Sequence, residues 1–194
     1  MSGLRERKKQ ATRDALSMAA LRLAVERGLD NVLVEDIAAA AGVSPRTFNN
    51  YFSSKYEAIS SRASDRIFRV GQALLDRPAD EPMWDAITAA VLEVHAEATS
   101  VPPPEWLAGL RPVLSSPSLA GELLKTYVKM QQALVAAIAD RLGEGDHGMY
   151  PEIMAAAVAA ATQVASDHWL RADPPVPLYG LLETALEQLR GVGQ

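Results

Sequence analysis

GVSPRTFNNYFSSK, residues 42–55, sets a glycine, a Ser-Pro pair, two phenylalanines, a tyrosine and two adjacent asparagines together and closes on a lysine. Each residue type has a local use. Gly42 follows the octet VEDIAAAA (34–41), where a chain leaving a helix needs a left-handed residue, and glycine takes that conformation without a Cβ penalty. Val43 can fill the core under the turn. Ser44 suits an N-cap and Pro45 the first helical position, so a new helix starts there. Phe48 and Phe52 stand four apart on one helical face and point inward, which leaves Arg46, Asn49 and Asn50 on the other side. Two short helices joined by a tight glycine turn, the second with polar side chains outward, make a helix-turn-helix, whose second helix fits the major groove of DNA.

The outward residue types suit that task. An arginine at 46 can donate two parallel bonds to guanine O6 and N7, and asparagines at 49 and 50 can pair with adenine N6 and N7. Tyr51 and Lys55 offer a hydroxyl and an ammonium to phosphates, contacts that set register more than sequence. Ser53 or Ser54 can cap a following helix, whose amides and dipole also favour the DNA backbone. Spacing and caps alone leave open a helical hairpin with a solvated polar face.

Working outward, apolar residues recur at Leu16, Ala19, Ala20 and Leu23 and stop at Gly28, which predicts an amphipathic helix from about Glu6 with a glycine C-cap. In 34–41, Val34, Ile37, Ala38 and Ala41 form the apolar face of a second, short helix. Beyond the opening stretch, helices are predicted over 56–75, 83–99, 105–114, 119–142, 151–171 and 178–189. The prolines at 102–104 break the chain rigidly, and GEGDHG (143–148) and ADPPVP (172–177) read as loops. No segment alternates with a period of two and β-branched residues are sparse. The expectation is an all-α chain of about nine helices, with a DNA-binding domain at 1–55 and a helical body at 56–194 that binds effector and dimerises.

Charge divides the same way. Residues 1–55 carry a surplus of three positive charges, whereas the whole chain of 194 residues stands at −5, so the remainder is acidic by eight. A basic head on an acidic body directs only the head toward a polyanion. There is no cysteine, which removes disulfides and thiol chemistry and fits a reducing cytosol. The charged start MSGLRERKKQ is no secretory signal, and the apolar runs are too short for a bilayer. A cytoplasmic protein without a membrane contact is expected.

The segment from Arg13 to Ile59 resembles the DNA-binding domain of the TetR family of transcriptional regulators. The family's ordered pattern is matched at Ile37-Ala38, Ala41-Gly42-Val43-Ser44, Thr47, Phe48, Tyr51-Phe52 and Ser54-Lys55. The resemblance implies double-stranded DNA as partner, contacted through Ser44, Pro45, Arg46, Thr47, Asn49, Asn50, Tyr51 and Lys55. Two positions depart from the pattern. Val32 and Leu33 replace a threonine that caps the second helix, so Asp30 or Asn31 has to cap instead, and Asn49 replaces a tyrosine, which makes it a candidate specificity residue.

The body carries no catalytic constellation. His95 lies two residues from Glu93 and from Glu97, so neither pair shares a helical face, and no Gly-x-Ser-x-Gly, P-loop or dinucleotide fingerprint occurs. No enzyme, metal or cofactor is expected. Met83, Trp84, Trp106, Tyr127, Met130, Met154 and Trp169 are spread over several helices; as a set they suit a cavity for an apolar or amphipathic molecule, and singly they suit a core. TetR-like proteins keep an effector cavity in the body, and the polyproline break with the last two helices is similar to the subgroup with an acyl-CoA-like ligand-binding domain. Ala155 and Ala159, with Leu178, Leu182 and Leu186, would pair with a second copy in a four-helix bundle. Such a homodimer would read a palindromic operator and release it on binding effector. Two other readings compete: a helical small-molecule carrier, and an architectural DNA-binding protein without effector control.

Overall fold

A computed structural model describes residues 2–191, apart from the side chains at positions 2, 3, 67 and 130. Nine α-helices and one 3-10 turn make up the regular structure of the described residues, with no strand. They are α1 (Ser2–Arg27), the 3-10 turn η1 (Leu29–Asn31), α2 (Val34–Ala40), α3 (Pro45–Asn49), α4 (Lys55–Leu75), α5 (Met83–Val94), α6 (Pro104–Leu114), α7 (Pro117–Leu142), α8 (Tyr150–Arg171) and α9 (Leu178–Gly191). The all-α expectation holds, with the largest shifts at the ends of two elements. α1 starts at Ser2 rather than near Glu6, and α5 stops at Val94 instead of running to Thr99. Its last turn closes early because the N–H of Ala98 bonds the carbonyl of His95 at 2.8 Å, and the His95 ring holds the Val91 carbonyl at 2.8 Å.

The chain forms two compact units, and they do not follow a single cut at 55/56. One comprises the chain up to Ala63 together with Glu105–Thr126; the other comprises Ser64–Pro104 and the chain from Tyr127 onward. The first turns of α4 belong with the head because Ala58 and Ile59 are buried in its core, and the end of α6 and start of α7 join it through Val113 and Leu119.

In the head unit, Leu16, Ala20 and Leu23 of α1 meet Ile37, Ala38, Phe48, Phe52 and Ala58 in one buried cluster. The helices α1 and α4 approach closely on small side chains. Ser17 Oγ donates to the Ala58 carbonyl at 2.7 Å and accepts from Ser61 Oγ at 3.0 Å. At Gly109 of α6 an added Cβ would stand 2.6 Å from the Val25 carbonyl oxygen, so that crossing needs a residue without one.

The body unit buries Leu74, Ile87, Val91, Leu134, Ile138, Ala155, Val158 and Leu186. Arg141 of α7 finishes the end of α4: its guanidinium donates to the carbonyls of Arg77 and Glu81, both at 3.0 Å, and to that of Pro78. These acceptors lie in the loop between α4 and α5, so one cation gathers that connection onto α7.

His95 is 8% exposed, and its pKa is lowered from 6.5 to about 4, first by burial and further by the nearby Arg66 and Arg69 charges, against the opposing bond to Val91. The folded state thus holds the ring neutral. Between about pH 6.5 and 4 the unfolded chain takes up a proton there that the folded chain refuses, so stability is present above pH 6.5 and is lost as pH falls. The shift is worth about 3 kcal/mol. Urea melts across this window should show His95→Phe flattening the acid side of the stability profile; an unchanged profile would remove His95 as its source.

Candidate nucleic-acid interface

The helix-turn-helix is assembled by local bonds. Leu33 is the N-cap of α2, and with no side-chain oxygen there its own N–H is taken by Asp36 Oδ2 at 3.1 Å. This corrects the expectation that Asp30 or Asn31 caps α2. The Asn31 amide instead donates back to the Arg27 carbonyl at 2.8 Å and closes α1. Val32 is buried in the head core, whereas Leu33 is 62% exposed, so an apolar side chain stands at the surface where α2 begins. At the other end of α2 the backbone turns through Gly42 at φ +70°, and the N–H of Val43 bonds the Ala38 carbonyl at 2.9 Å.

Ser44 caps α3 by accepting from the Thr47 N–H at 3.1 Å, and the two hydroxyls lie 2.9 Å apart. Pro45 takes the first helical position. Phe48 is fully buried, and its ring centroid lies 5.7 Å from that of Phe52, which sits beyond the end of α3 yet stays in the core. The core contact therefore fixes the rotation of α3. Pro45, Arg46, Asn49 and Asn50 are exposed, and Thr47 and Tyr51 are half-buried. The side chains of Arg46, Asn49 and Asn50 have no hydrogen bond or ion pair with any described residue, so their polar groups are available to a partner.

Lys55 is placed differently from its sequence reading as a phosphate contact. Its ammonium donates to the Leu29 carbonyl at 2.8 Å and to the Val32 carbonyl at 2.9 Å, and lies 5.5 Å from the Tyr56 ring centroid. The side chain is half-buried. It ties the segment before α2 to the start of α4. Ser54 caps α4 through the Glu57 N–H at 3.1 Å, and the Glu57 carboxylate accepts from the N–H and hydroxyl of Ser53, each at 2.7 Å.

Residues 18–59 match the family model described as bacterial regulatory proteins, tetR family, and residues 81–193 match the MftR C-terminal domain. The HTH-type transcriptional regulator TcmR of Streptomyces glaucescens is 35% identical over 198 residues, covering 97% of this chain and 87% of TcmR. The chain belongs to the TetR family. Another TetR-type relative, the regulator EthR of Mycobacterium tuberculosis, is 31% identical over 183 residues, with 88% of this chain and 81% of EthR covered. Among solved structures, the efflux-pump repressor SmeT of Stenotrophomonas maltophilia shares the fold with a TM-score of 0.60 at 18% identity, over 93% of this chain and 89% of SmeT. FadR of Thermus thermophilus, a TetR-family repressor solved with lauroyl-CoA, gives 0.57 at 21% identity, over 94% and 95% of the two chains. TetR proteins are DNA-binding transcriptional regulators rather than enzymes. Among the described residues no helix is long and apolar enough to cross a membrane.

Within this TetR body the seven aromatic and methionine residues are not gathered in one place. Met83, Trp84 and Met154 pack against the main body cluster, and Trp169 packs against a second one with Leu92, Ala98 and Leu181. Tyr127 is half-buried in α7, Trp106 falls in the head unit, and the Met130 side chain lies outside the described residues. Two polar atoms, Nε1 of Trp169 and Oγ1 of Thr88, the second of which sequence patterning passed over, are buried with no partner among the described residues. The residues read as a dimer surface are also placed otherwise. Ala155, Ala159, Leu178, Leu182 and Leu186 are all buried within the chain itself, where α9 packs on α8 and on α5. The side of α8 that stays open carries Ile153, Ala160 and Val164.

Proposed function

We propose that this TetR-family regulator is a homodimeric repressor that binds a palindromic operator and is released by an apolar or amphipathic, fatty-acyl-like small molecule. The observation that carries the DNA reading is the outward face of α3, where Arg46, Asn49 and Asn50 stand exposed with no internal partner while Phe48 locks the helix beneath them. Arg46 and Asn49 read base edges; Tyr51 and the Ser44 and Thr47 hydroxyls set position on the backbone. A bacterial DNA partner makes the cytoplasm the working compartment.

Pairing would use the open side of α8, through Ile153, Ala160 and Val164, since the leucines of α9 are already spent within the chain. Two copies on a two-fold axis call for half-sites about 34 Å apart or a multiple of it. An effector coupling of about 1–3 kcal/mol suffices to change operator occupancy severalfold or more.

Support for an amphipathic effector comes from the two unpartnered polar atoms in a largely apolar body, because a buried donor left without an acceptor is costly unless something supplies one. The acyl-CoA bound by the FadR fold neighbour agrees with that chemistry. Selection of genomic fragments with purified protein, with and without a small-molecule extract of the host, tests the reading. A recovered palindrome lost on adding extract is the expected result; no preferred sequence in either condition would refute it. Trp169→Phe keeps an aromatic side chain, though a smaller one, and removes the donor. It should raise the extract needed for half-release by about two- to tenfold, the worth of one hydrogen bond, with operator affinity unchanged; equal release of both proteins would remove Trp169 from effector binding.

A further inference from the structure

Within the body unit, α4 and α5 are joined by residues 76–82 and share one core, where Val70 and Leu74 of the first meet Ile87 and Val91 of the second. Helices joined by so short a loop run antiparallel, so the turn before Val70 and the turn after Val91 come to the same end of the pair. The first of these turns carries Arg66, with Arg69 three residues on, and the second carries His95. Burial first, and then the charges of Arg66 and Arg69, keep the His95 ring neutral against its bond to the Val91 carbonyl. A positive field at this buried ring is out of keeping with its surroundings, because residues 56–194 carry a net charge of −8. Asp65 stands one turn before Arg69 on the same helix, and an ion pair at that spacing is weak. Two turns back along α5, about 10 Å along its axis, Thr88 shares the face of His95, and its buried hydroxyl has no partner among the described residues. Leu92, four residues after Thr88, packs in the cluster that also takes Trp169, whose indole nitrogen is the other buried atom left unpartnered.

We infer that the effector is an amphipathic oxyanion, its ionised head held by Arg66 and Arg69 beside His95 and its chain lying along the Thr88 face of α5. The inference rests on the effector reading above and adds the charge of the ligand and the residues that meet it. A guanidinium binds carboxylate or phosphate oxygens through charge-assisted bonds, about twice as strong as neutral ones. Arg66 is half-buried, so the head it meets is partly withdrawn from water, and exposed Arg69 closes on it from the rim. The bound anion also cancels the positive field that His95 otherwise bears.

The test is calorimetric titration of the full chain with three probes of one tail length, decanoate, decyl phosphate and decanol, each below its micelle concentration, for the parent, Arg66→Gln, Arg69→Gln and Arg69→Lys. At least one of the two oxyanions should bind the parent about 10- to 100-fold more tightly than decanol does, the worth of a hydrogen bond to a charged group. Arg69→Gln, at an exposed position that leaves the core intact, should cut that advantage about three- to tenfold with decanol binding unchanged, and Arg69→Lys, which keeps the charge without the fork, should keep part of it. Arg66→Gln should cut it further; should that variant not fold, the Arg69 pair decides alone. Decanol binding as tightly as both oxyanions overturns the charged head and leaves an apolar effector standing. An oxyanion advantage that Arg69→Gln retains in full overturns the assignment to this end of α4 and α5. Binding of none of the three probes refutes the fatty-acyl reading itself, and this inference with it.

Discussion

Asn49→Ala and Arg46→Ala are expected to erase most of the operator preference while random-duplex binding survives. A bidentate contact between such a side chain and a base edge discriminates by about 1–3 kcal/mol. Each substitution acts in both half-sites of a dimer, so the loss on the operator is about 2–6 kcal/mol. Folding should not contribute, since both side chains are exposed and bonded to no described residue. The two variants separate on salt. Arg46→Ala also removes a charge and should flatten the slope by about 0.9 per protomer if the guanidinium reaches DNA, whereas Asn49→Ala leaves the slope as it is. Competition between operator and random duplexes reads the difference, and equal losses on both for Asn49→Ala would take away its role in sequence reading.

How much of this interface could be read in the sequence depends on how local each interaction is. Gly42, Ser44 and Pro45 act within four residues of themselves, and the structure has the positive φ, the cap and the first-turn proline where those residue types predict them. Phe48 and Phe52 were likewise legible as a buried pair from their spacing. Lys55 was not. A lysine at the start of a helix near a DNA-reading element serves a phosphate or a carbonyl equally well, and its carbonyl partners at Leu29 and Val32 lie 26 and 23 residues away, beyond any local pattern. The cap of α2 comes from inside the helix rather than from the residues preceding it, because Asp36 stands at the third helical position from which a carboxylate reaches back.

The last two helices show the same limit on a larger scale. Periodicity identifies the apolar stripe Leu178, Leu182, Leu186, but an apolar stripe says only that something covers it. Here the cover is the chain's own α8 and α5. The compact units diverge from a cut at 55/56 for a related reason, because α4 and α7 are each continuous helices that give residues to both units. Helical pattern marks where a helix runs and not which core each of its turns enters.

Phe48→Ala should unfold the helix-turn-helix at conditions where the parent is intact. The side chain is fully buried between α1, α2 and Phe52, and truncating a buried phenylalanine typically costs about 3–5 kcal/mol, made up of lost transfer energy and the cavity left behind. The head has little to offset that loss. α3 spans only Pro45–Asn49, too short to be helical without tertiary packing, and Phe48 is its one buried residue. Removing the ring therefore takes away what sets the rotation of Arg46 and Asn49 as well as the stability of the unit. Denaturant melts followed by circular dichroism, alongside operator binding, should show a lower midpoint and loss of both specific and random-duplex affinity. Phe48→Leu, which keeps most of the apolar volume, should retain random-duplex binding and part of the preference. A Phe48→Ala protein that melts like the parent and still prefers the operator would show that α3 is held by something other than its one buried side chain.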